Sequence, residues 1–233
     1  MNIAIIPARS GSRRIKDKNI KEINSKPLIY WTIKAAEESK AINKIFVSTD
    51  SIEYKTFIEA LLTLEGFKKA FVIMRDPAHA TAYSQLEDFI IPFLYKTKAT
   101  YVFILQPTSP IRLPGTIDNA FKYLKTKKAD SLVSVSKFNR FLWKDNQPNY
   151  NLLKRPRSQD YQPGLCVENG SIYITKRKTL LDTKTRAGGK VVTFELKPEE
   201  SFEIDEELDF VICSAILQYI INKEEKWHIV AKK

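Results

Sequence analysis

The part of the sequence best suited to chemistry is a basic loop, Arg9–Asn19, which follows the apolar run Asn2–Pro7. From Arg9 to Lys21 the chain holds six basic residues and one acid in thirteen positions. The loop combines cations with small residues that can present backbone N–H groups: Arg9, Arg13 and Lys18 with Ser10, Gly11 and Ser12. Such groups at a strand-to-helix turn favour a bound polyanion. Charge alone would fit a solvated surface loop equally well.

The loop matches neither of the two common phosphate-binding motifs. It lacks both G-x-G-x-x-G and G-x-x-x-x-G-K-S/T, so the dinucleotide and Walker interpretations are weak.

A rigid polar turn follows the apolar run Tyr101–Leu105. Residues 106–112 are Gln-Pro-Thr-Ser-Pro-Ile-Arg. The two prolines fix the backbone, which helps to hold Gln106 and Ser109 in place. A purely structural turn would not need glutamine, threonine, serine and arginine together, so this turn is a second candidate for a binding site.

Carboxylates are concentrated in the turn 201–209. Glu203 and Asp205 lie two residues apart, so on an extended strand their carboxylates share one face. Such a pair can hold Mg²⁺, which takes few carboxylates and keeps waters for phosphate oxygens. The alternative is a helix N-terminus, with Asp205 as the N-cap and Glu206 and Glu207 favouring the helix dipole. The two interpretations are compatible if Glu206 and Glu207 face solvent.

Strand-length apolar runs alternate with helix-length amphipathic segments over most of the chain. Strands are predicted at residues 2–7, 44–48, 70–74, 101–105, 131–136, 170–174 and 190–195. Helices are predicted at residues 27–38, 52–64, 84–96, 114–127 and 206–221. This alternation indicates βαβ units, and therefore an α/β fold with a mainly parallel sheet flanked by helices. Ligands bind at the carboxyl ends of the strands in such sheets.

The alternation breaks between Lys137 and Val167, where the chain has several Pro, Asn and Gln residues and little periodicity. This stretch is too long for an ordinary loop in a compact domain, so it predicts an excursion such as a partner-binding arm. The predicted organisation is a nucleotide-binding α/β core at 1–136, an arm at 137–167, and the remainder of the core with the carboxylate turn at 168–233.

Composition and charge limit the classes of protein that fit. The 233 residues are 43% hydrophobic, enough for a substantial core, and no segment approaches the roughly 20 apolar residues of a membrane span. No secretory leader is evident, so we expect a cytoplasmic protein with no membrane partner. The formal charge of +11 fits either a nucleic-acid binder or a lysine-rich surface. The lysines are scattered through helical segments, which favours the second explanation and predicts no nucleic-acid partner.

Seven segments occur in an order that is typical of one enzyme family: Ile5-Ile-Pro-Ala-Arg-Ser-Gly-Ser12, Lys18-Asn19, Lys26-Pro-Leu28, Val47-Ser-Thr-Asp50, Leu105-Gln-Pro-Thr-Ser-Pro110, Asn169-Gly-Ser-Ile-Tyr-Ile174 and Ile204-Asp-Glu-Glu-Leu-Asp209. From Ile3 to Asp209 the chain resembles the acylneuraminate cytidylyltransferases, or CMP-sialic acid synthetases, including their legionaminic-acid branch. The resemblance implies a Rossmann-like fold of the nucleotide-diphospho-sugar transferase type, with a protruding dimerisation arm and a homodimer.

The resemblance also implies a reaction and a set of site residues. Members of the family transfer CMP from CTP to the anomeric hydroxyl of a nine-carbon 2-keto sugar acid, with Mg²⁺, and release pyrophosphate. The matching CTP-site positions are Ala8, Arg9, Ser12, Arg13, Lys18, Asn19, Ala82 and Ser84. The matching sugar-acid positions are Gln106, Arg157, Asn169 and Tyr173. The implied metal ligands are Asp205 and Glu203, and the implied catalytic residues are Arg9, Lys18 and Asp205.

Two other functions stay open at this point. A related cytidylyltransferase acting on Kdo or on pseudaminic acid would share much of the pattern, and the +11 charge would suit a polyanion- or nucleic-acid-binding protein without enzyme activity.

The sequence also departs from the family pattern. Glu203 stands where an Asp is usual, and Val167 stands where sialic-acid members often have an Arg. The segment Arg75–Thr81 is shorter than usual. Arg157 is therefore the candidate for binding the sugar carboxylate.

Overall fold

A computed structural model of the protein describes residues 1–81 and 83–230, with side chains described up to Lys223. The strands are β1 (Asn2–Pro7), β2 (Glu22–Ile23), β3 (Lys26–Pro27), β4 (Lys44–Thr49), β5 (Ala70–Met74), β6 (Tyr101–Leu105), β7 (Ser131–Lys137), β8 (Trp143–Lys144), β9 (Gln147–Pro148), β10 (Cys166–Lys176) and β11 (Val191–Glu195). The α-helices are α1 (Leu28–Glu38), α2 (Ile52–Glu65), α3 (Leu86–Tyr95), α4 (Thr116–Thr126), α5 (Arg177–Thr183) and α6 (Glu207–Val230).

A seven-stranded sheet in the order β11-β7-β10-β6-β1-β4-β5 forms the centre of the molecule. Strand β10 is antiparallel to both of its neighbours, β6 and β7, and the other neighbouring pairs are parallel. The predicted α/β fold with a mainly parallel sheet is therefore confirmed. Because six strands share one direction, the segments that follow β1, β4, β5 and β6 all leave the same edge of the sheet.

The strands read as continuous apolar runs because helices cover both faces of the sheet. Along β1, Ala4 and Ile6 belong to one hydrophobic cluster, whereas Ile3 and Ile5 belong to a second cluster on the other face. All four residues are fully buried. This two-sided burial explains why the strand positions could be predicted well from apolar runs.

A third, smaller hydrophobic cluster joins the basic loop to the carboxylate turn. Ile15 of the loop and Ile204 of the turn are both buried in it, together with Phe210, Cys213 and Leu217 of α6. The backbone N–H of Ile204 also donates to the carbonyl of Thr108 at 2.7 Å. Segments about 190 residues apart in the sequence are therefore packed side by side.

Helix α6 begins at Glu207, and the carboxylate that bonds to the backbone at its start is that of Asp209, in the first turn, and not that of Asp205. The Oδ2 atom of Asp209 accepts hydrogen bonds from the backbone N–H groups of Asp205 and Glu206, at 2.8 and 2.7 Å. This bonding satisfies two of the donors at the start of the helix. The carboxylate of Asp205 is consequently available for other contacts.

The segment between β7 and β10 leaves the sheet and forms a small structure of its own. Strands β8 and β9 pair as a short antiparallel hairpin. Phe141 lies 4.7 Å from Tyr150 and 4.6 Å from Tyr161 between ring centroids, and the guanidinium of Arg155 lies over Phe141 at 4.5 Å. Trp143 is 55% exposed. Some hydrophobic residues of the arm thus pack within the chain, and others face outward.

The described helices include none that is both long and apolar enough to cross a lipid bilayer.

A buried guanidinium, that of Arg112, ties three elements together beneath the polar turn. Its Nη1 donates to Thr32 Oγ1 of α1 at 2.9 Å, and its Nη2 donates to the carbonyls of Gln106 and Ser171 at 2.9 and 2.7 Å. Burial lowers the pKa of Arg112 to about 9, against the opposing effect of the Glu200 carboxylate. The group stays charged at neutral pH, and its charge strengthens these hydrogen bonds.

Replacing Arg112 with Met should lower the free energy of unfolding by about 3 kcal/mol, because two carbonyls and a hydroxyl lose their donor in a buried place. Urea unfolding followed by circular dichroism measures the change. The matched control is Arg140→Met, an exposed arginine of the arm, which should change stability by less than about 0.5 kcal/mol. Equal stability of the two variants would contradict the role given to Arg112.

Candidate active site

A cleft of about 650 Å³ opens at the carboxyl edge of the sheet. Its walls come from the basic loop, the segment after β5, the turn after β6, the loop before β11 and the carboxylate turn. Most residues predicted for the site line it: Arg9, Ser12, Arg13, Lys18, Asn19, Ser84, Gln106, Glu203 and Asp205. Three polar segments that are far apart in the sequence therefore meet in one place.

The remaining predicted residues lie elsewhere. Ala8, Asn169 and Tyr173 are buried beside the cleft and do not line it. Arg157 lies outside the cleft in the arm, where its Nε donates to Asp160 Oδ2 at 2.6 Å. Ala82 falls outside the residues that the structure describes.

Hydrogen bonds hold the basic loop in a defined shape. The side chain of Asn19 donates to the carbonyl of Arg9 at 3.0 Å. The backbone N–H and the hydroxyl of Ser10 donate to the Asp50 carboxylate, at 3.0 and 3.1 Å. Arg9 Nη1 donates across the cleft to the carbonyl of Thr81 at 3.1 Å. The loop is thus anchored at its start by Arg9 and Ser10 and at its end by Asn19.

The carboxylates of Glu203 and Asp205 have different surroundings. Thr108 Oγ1 donates to Glu203 Oε1 at 2.9 Å. Burial is the main cause that raises the pKa of Glu203, and the charge of Asp205 adds to it, whereas the Thr108 hydrogen bond and the charges of Lys18 and Arg14 oppose the rise. Asp205 instead contacts two cations, Arg14 Nη2 at 2.9 Å and Lys18 Nζ at 3.3 Å. Lys18 also donates to the carbonyl of Ile204 at 2.7 Å.

This donor set fits a magnesium ion that is shared with a phosphate ligand. Among the residues that the structure describes, no three His, Cys, Asp or Glu side chains gather into a complete metal cage. Mg²⁺ does not need one, because it usually binds one or two carboxylates together with waters and substrate phosphate oxygens. Glu203 and Asp205 both line the cleft and supply that number of carboxylates.

Glycine at position 170 lets the chain pass close to the carboxylate of Glu203. Gly170 has a φ of +65°, and a Cβ built there would lie 3.2 Å from Glu203 Oε1 and 3.5 Å from Gln106 Nε2. Asn169 fixes this point, since its Oδ1 accepts from Ser134 Oγ at 2.6 Å and its Nδ2 donates to Ser136 Oγ at 2.9 Å. Asn169 therefore positions the backbone beside the site.

Arg75 is a site residue that the sequence analysis did not identify. It follows β5 and lines the cleft, and its side chain is only 5% exposed. Its Nε and Nη2 atoms are buried and have no hydrogen-bond partner among the described residues, and the carboxylate oxygen Asp50 Oδ1 is 3.7 Å from Nη2. Burial lowers the pKa of Arg75, and the Asp50 charge opposes this. A buried donor without a partner lowers the stability of the folded state, because its hydrogen bond to water is lost and not replaced. Such donors therefore indicate a place for a ligand that is rich in acceptors.

A second unpredicted pair forms another part of the wall. Arg186, in the loop before β11, makes two 2.7 Å hydrogen bonds to the carboxylate of Glu87 in the first turn of α3. Burial alone would raise the pKa of Glu87, but the hydrogen bonds and charge of Arg186 outweigh it and lower the pKa. Tyr173 lies behind this pair, and burial and its hydrogen bond to Glu168 raise the pKa of the phenol, which keeps it neutral.

A polar, largely basic cleft at the carboxyl edge of a mainly parallel sheet is the usual ligand-binding place of an α/β protein, and its charge suits an anionic ligand. Residues 3–228 match the family model described as Cytidylyltransferase. The chain belongs to the cytidylyltransferase family.

The names of similar proteins are consistent with membership of this family. The chain is 34% identical to an N-acylneuraminate cytidylyltransferase of Streptococcus agalactiae serotype V, over 96% of this chain and 55% of the relative. It is 36% identical to N-acylneuraminate cytidylyltransferase A of Danio rerio, over 90% of this chain and 49% of the relative. It thus spans about half the length of these two. A CMP-N,N'-diacetyllegionaminic acid synthase of Legionella pneumophila is 33% identical over 95% of this chain and 97% of the relative.

Solved structures share the fold at low sequence identity. A CMP:2-keto-3-deoxy-manno-octonic acid synthetase complexed with CTP aligns with a TM-score of 0.68 and 16% identity, covering 94% of this chain and 98% of that one. A 4-diphosphocytidyl-2C-methyl-D-erythritol synthase from Anaerococcus prevotii aligns with a TM-score of 0.67 and 13% identity, covering 93% and 98%. These similarities confirm the nucleotidyltransferase type of α/β fold.

Replacing Arg75 with Met should weaken CTP binding by about 10- to 100-fold, the effect of losing hydrogen bonds from a charged donor. Stability should be unchanged or higher, because buried donors without partners are removed. Isothermal titration calorimetry with CTP and urea unfolding measure the two effects. Arg140→Met is the control for the change in net charge. Unchanged affinity for CTP would exclude Arg75 from the binding site.

Proposed function

We propose that this protein transfers CMP from CTP to the anomeric hydroxyl of a nine-carbon 2-keto sugar acid, sialic or legionaminic in type, and releases pyrophosphate. The observation that carries the proposal is the meeting of the basic loop, the Gln106 turn and the Glu203–Asp205 pair in one cleft. Relatives named for these sugar acids support the choice of acceptor.

The basic side of the cleft suits the triphosphate. Arg9, Arg13, Lys18 and Arg75 supply positive charge, while Ser12 and Asn19 supply polar groups from a hydrogen-bonded loop. Displacement at the α-phosphate spreads negative charge over its oxygens, so fixed cations stabilise the transition state more than the ground state. Holding the two substrates in line provides the other large part of the rate enhancement.

The side of the cleft near Gln106 suits the acceptor. The side-chain amide of Gln106 makes no hydrogen bond to another residue in the described part of the chain, so it can both donate to and accept from a sugar acid. Its position is fixed from below, since its own carbonyl accepts from Arg112 at 2.9 Å. In this proposal Asn169 and Tyr173 act from behind the cleft surface, and Arg157 contributes nothing from within the same chain.

Glu203 and Asp205 would hold Mg²⁺, the cofactor of the proposed reaction. Bound there, the ion would neutralise phosphate charge and lower the pKa of the attacking hydroxyl. Arg14 and Lys18 contact Asp205 and hold that carboxylate next to the phosphate side of the cleft. Glu203 is oriented by Thr108 of the polar turn.

The arm is the proposed homodimer interface. Trp143, Leu152 and Leu153 are exposed large hydrophobic residues on an excursion that carries its own aromatic cluster. Apolar surface of this kind is typical of protein–protein contacts.

CTP is a cytoplasmic metabolite, and we place the protein in the cytoplasm for that reason.

Replacing Asp205 with Asn should reduce Mg²⁺-dependent turnover by about 100-fold or more, because one carboxylate of the pair loses its charge. A pyrophosphate-release assay with CTP and a panel of eight- and nine-carbon 2-keto sugar acids measures this, and it also tests the function. The control is Glu207→Gln, a neighbouring exposed carboxylate paired with Lys21, which should retain full activity. Failure of the wild-type protein to use any nine-carbon acid would refute the proposed function.

Replacing Gly170 with Ala should lower kcat/KM by about 10- to 100-fold, because the new Cβ would push the Glu203 carboxylate out of its position beside Gln106. The control is Gly66→Ala, which has a similar φ of +68° but no atom within 4 Å of the added Cβ. Both variants should lose about 1 kcal/mol of stability from left-handed backbone strain. Only the first should lose activity, and equal activity of the two would show that the close approach at Gly170 is unimportant.

A further inference from the structure

The Arg186 guanidinium is held at the cleft wall by an unusually complete set of contacts. Its Nε and Nη2 donate to the two oxygens of Glu87, both at 2.7 Å, and its backbone N–H donates to the same carboxylate at 3.2 Å. The Glu87 side chain is 9% exposed and that of Arg186 is 24% exposed. The hydroxyl of Thr175 donates to the carbonyl of Arg186 and anchors its backbone.

Tyr173 fixes the guanidinium from another side. The guanidinium carbon lies 5.3 Å from the centroid of the Tyr173 ring, and the Tyr173 hydroxyl donates to Glu168 Oε1 at 2.5 Å. Two of the three guanidinium nitrogens are used by Glu87. The third, Nη1, makes no hydrogen bond to any described residue, although Arg186 lines the cleft. The cleft wall therefore presents one rigid, donor-only group.

The charge around Arg186 differs from that around the basic loop. The positive charge of Arg186 is already balanced by Glu87, and Glu168 adds a further negative charge close by. A carboxylate brought to this place would meet little net positive charge, whereas no described carboxylate lies within hydrogen-bond distance of Arg75. A neutral oxygen suits Nη1 better, since an amide carbonyl is a strong acceptor that adds no charge.

We propose that Arg186 determines acceptor specificity by donating a hydrogen bond from Nη1 to the carbonyl oxygen of an amide substituent on the sugar acid. This inference rests on the proposed function and adds a substituent class to it. A donor that is fixed and partly buried favours an acceptor group that pairs with it, and it penalises an analogue that leaves it unpaired. Both amide-bearing and amide-free acids would bind the rest of the cleft in the same way.

The test uses a paired substitution, because Arg186→Met alone would leave Glu87 buried without a partner. In R186M/E87M both charges are replaced by apolar side chains, a change that buried ion pairs often tolerate without loss of stability. The acceptors are a nine-carbon 2-keto acid with two acetamido groups and the two counterparts in which one acetamido group is replaced by hydrogen. Values of kcat/KM for each acid and KM for CTP are measured by pyrophosphate release.

Wild-type protein should use one of the two counterparts about 10- to 100-fold less well than the parent acid. R186M/E87M should reduce this ratio to less than about threefold, with KM for CTP and the urea midpoint close to those of the wild type. The single variant Glu87→Gln keeps the donor in place and should keep the wild-type ratio. A structural role of the pair would instead lower activity equally with all three acids, and it would also raise KM for CTP or lower the urea midpoint.

Three other results of these assays would each contradict a different part of the proposal. If wild-type protein is active but R186M/E87M keeps the wild-type ratio, Arg186 does not read the substituent. If the paired variant loses activity equally with all three acids while CTP binding is unchanged, Arg186 binds the carboxylate that all of them carry, and the amide assignment is wrong. If the wild-type protein uses none of the acids, the proposed function and this inference fall together.

Discussion

The cleft depends on a single buried charge, the guanidinium of Arg112. The turn after β6 begins at the carboxyl edge of the sheet, and the antiparallel strand β10 passes Ser171 at the same edge. Gln106 of the turn and Ser171 of the strand each leave a carbonyl oxygen pointing inward. One cation serves both carbonyls and also reaches Thr32 in α1. Charge-assisted hydrogen bonds in a buried place are strong and directional, so the turn has little freedom to shift. Gln106 and Thr108 take their positions from this turn, and Thr108 in turn orients Glu203.

Much of the fold could be predicted because the strands of a sheet that is buried on both faces appear in the sequence as short, continuous apolar runs. The runs at 2–7 and 101–105 are apolar at nearly every position, and both are central strands. Motif residues were equally informative where a site is built from a local turn, as with Arg9, Asn19 and Gln106. The direction of β10 could not be predicted in this way, because an antiparallel strand with two neighbours is as apolar as a parallel one.

Contacts between distant segments could not be predicted from patterns in the sequence. Glu87 and Arg186 stand in separate stretches of the chain, and each alone resembles a solvated surface charge. Arg75 directly follows a strand, as many exposed residues do, so its place in the sequence does not indicate burial. The folded structure shows that its Nε and Nη2 donors are buried and have no partner among the described residues. The sequence analysis considered Asp205 as the cap of α6, whereas the carboxylate that accepts from the backbone N–H groups there is that of Asp209, which depends on backbone geometry. Arg157 shows the opposite case, in which a motif position lies away from the cleft of its own chain.

The hydrogen bond from Lys18 to the carbonyl of Ile204 has a consequence for the order in which the molecule is assembled. Ile15 and Ile204 pack in one cluster, so the basic loop has its final neighbours only when the last fifth of the chain is present. During synthesis the central strands are made well before the residues that complete the cleft. Contacts between such distant residues form late, since a long loop must be closed first. A ribosome-bound chain that stops before residue 204 would hold much of the sheet but could not form a finished binding cleft. Ligand capture is thereby tied to the synthesis of the segment around residue 204.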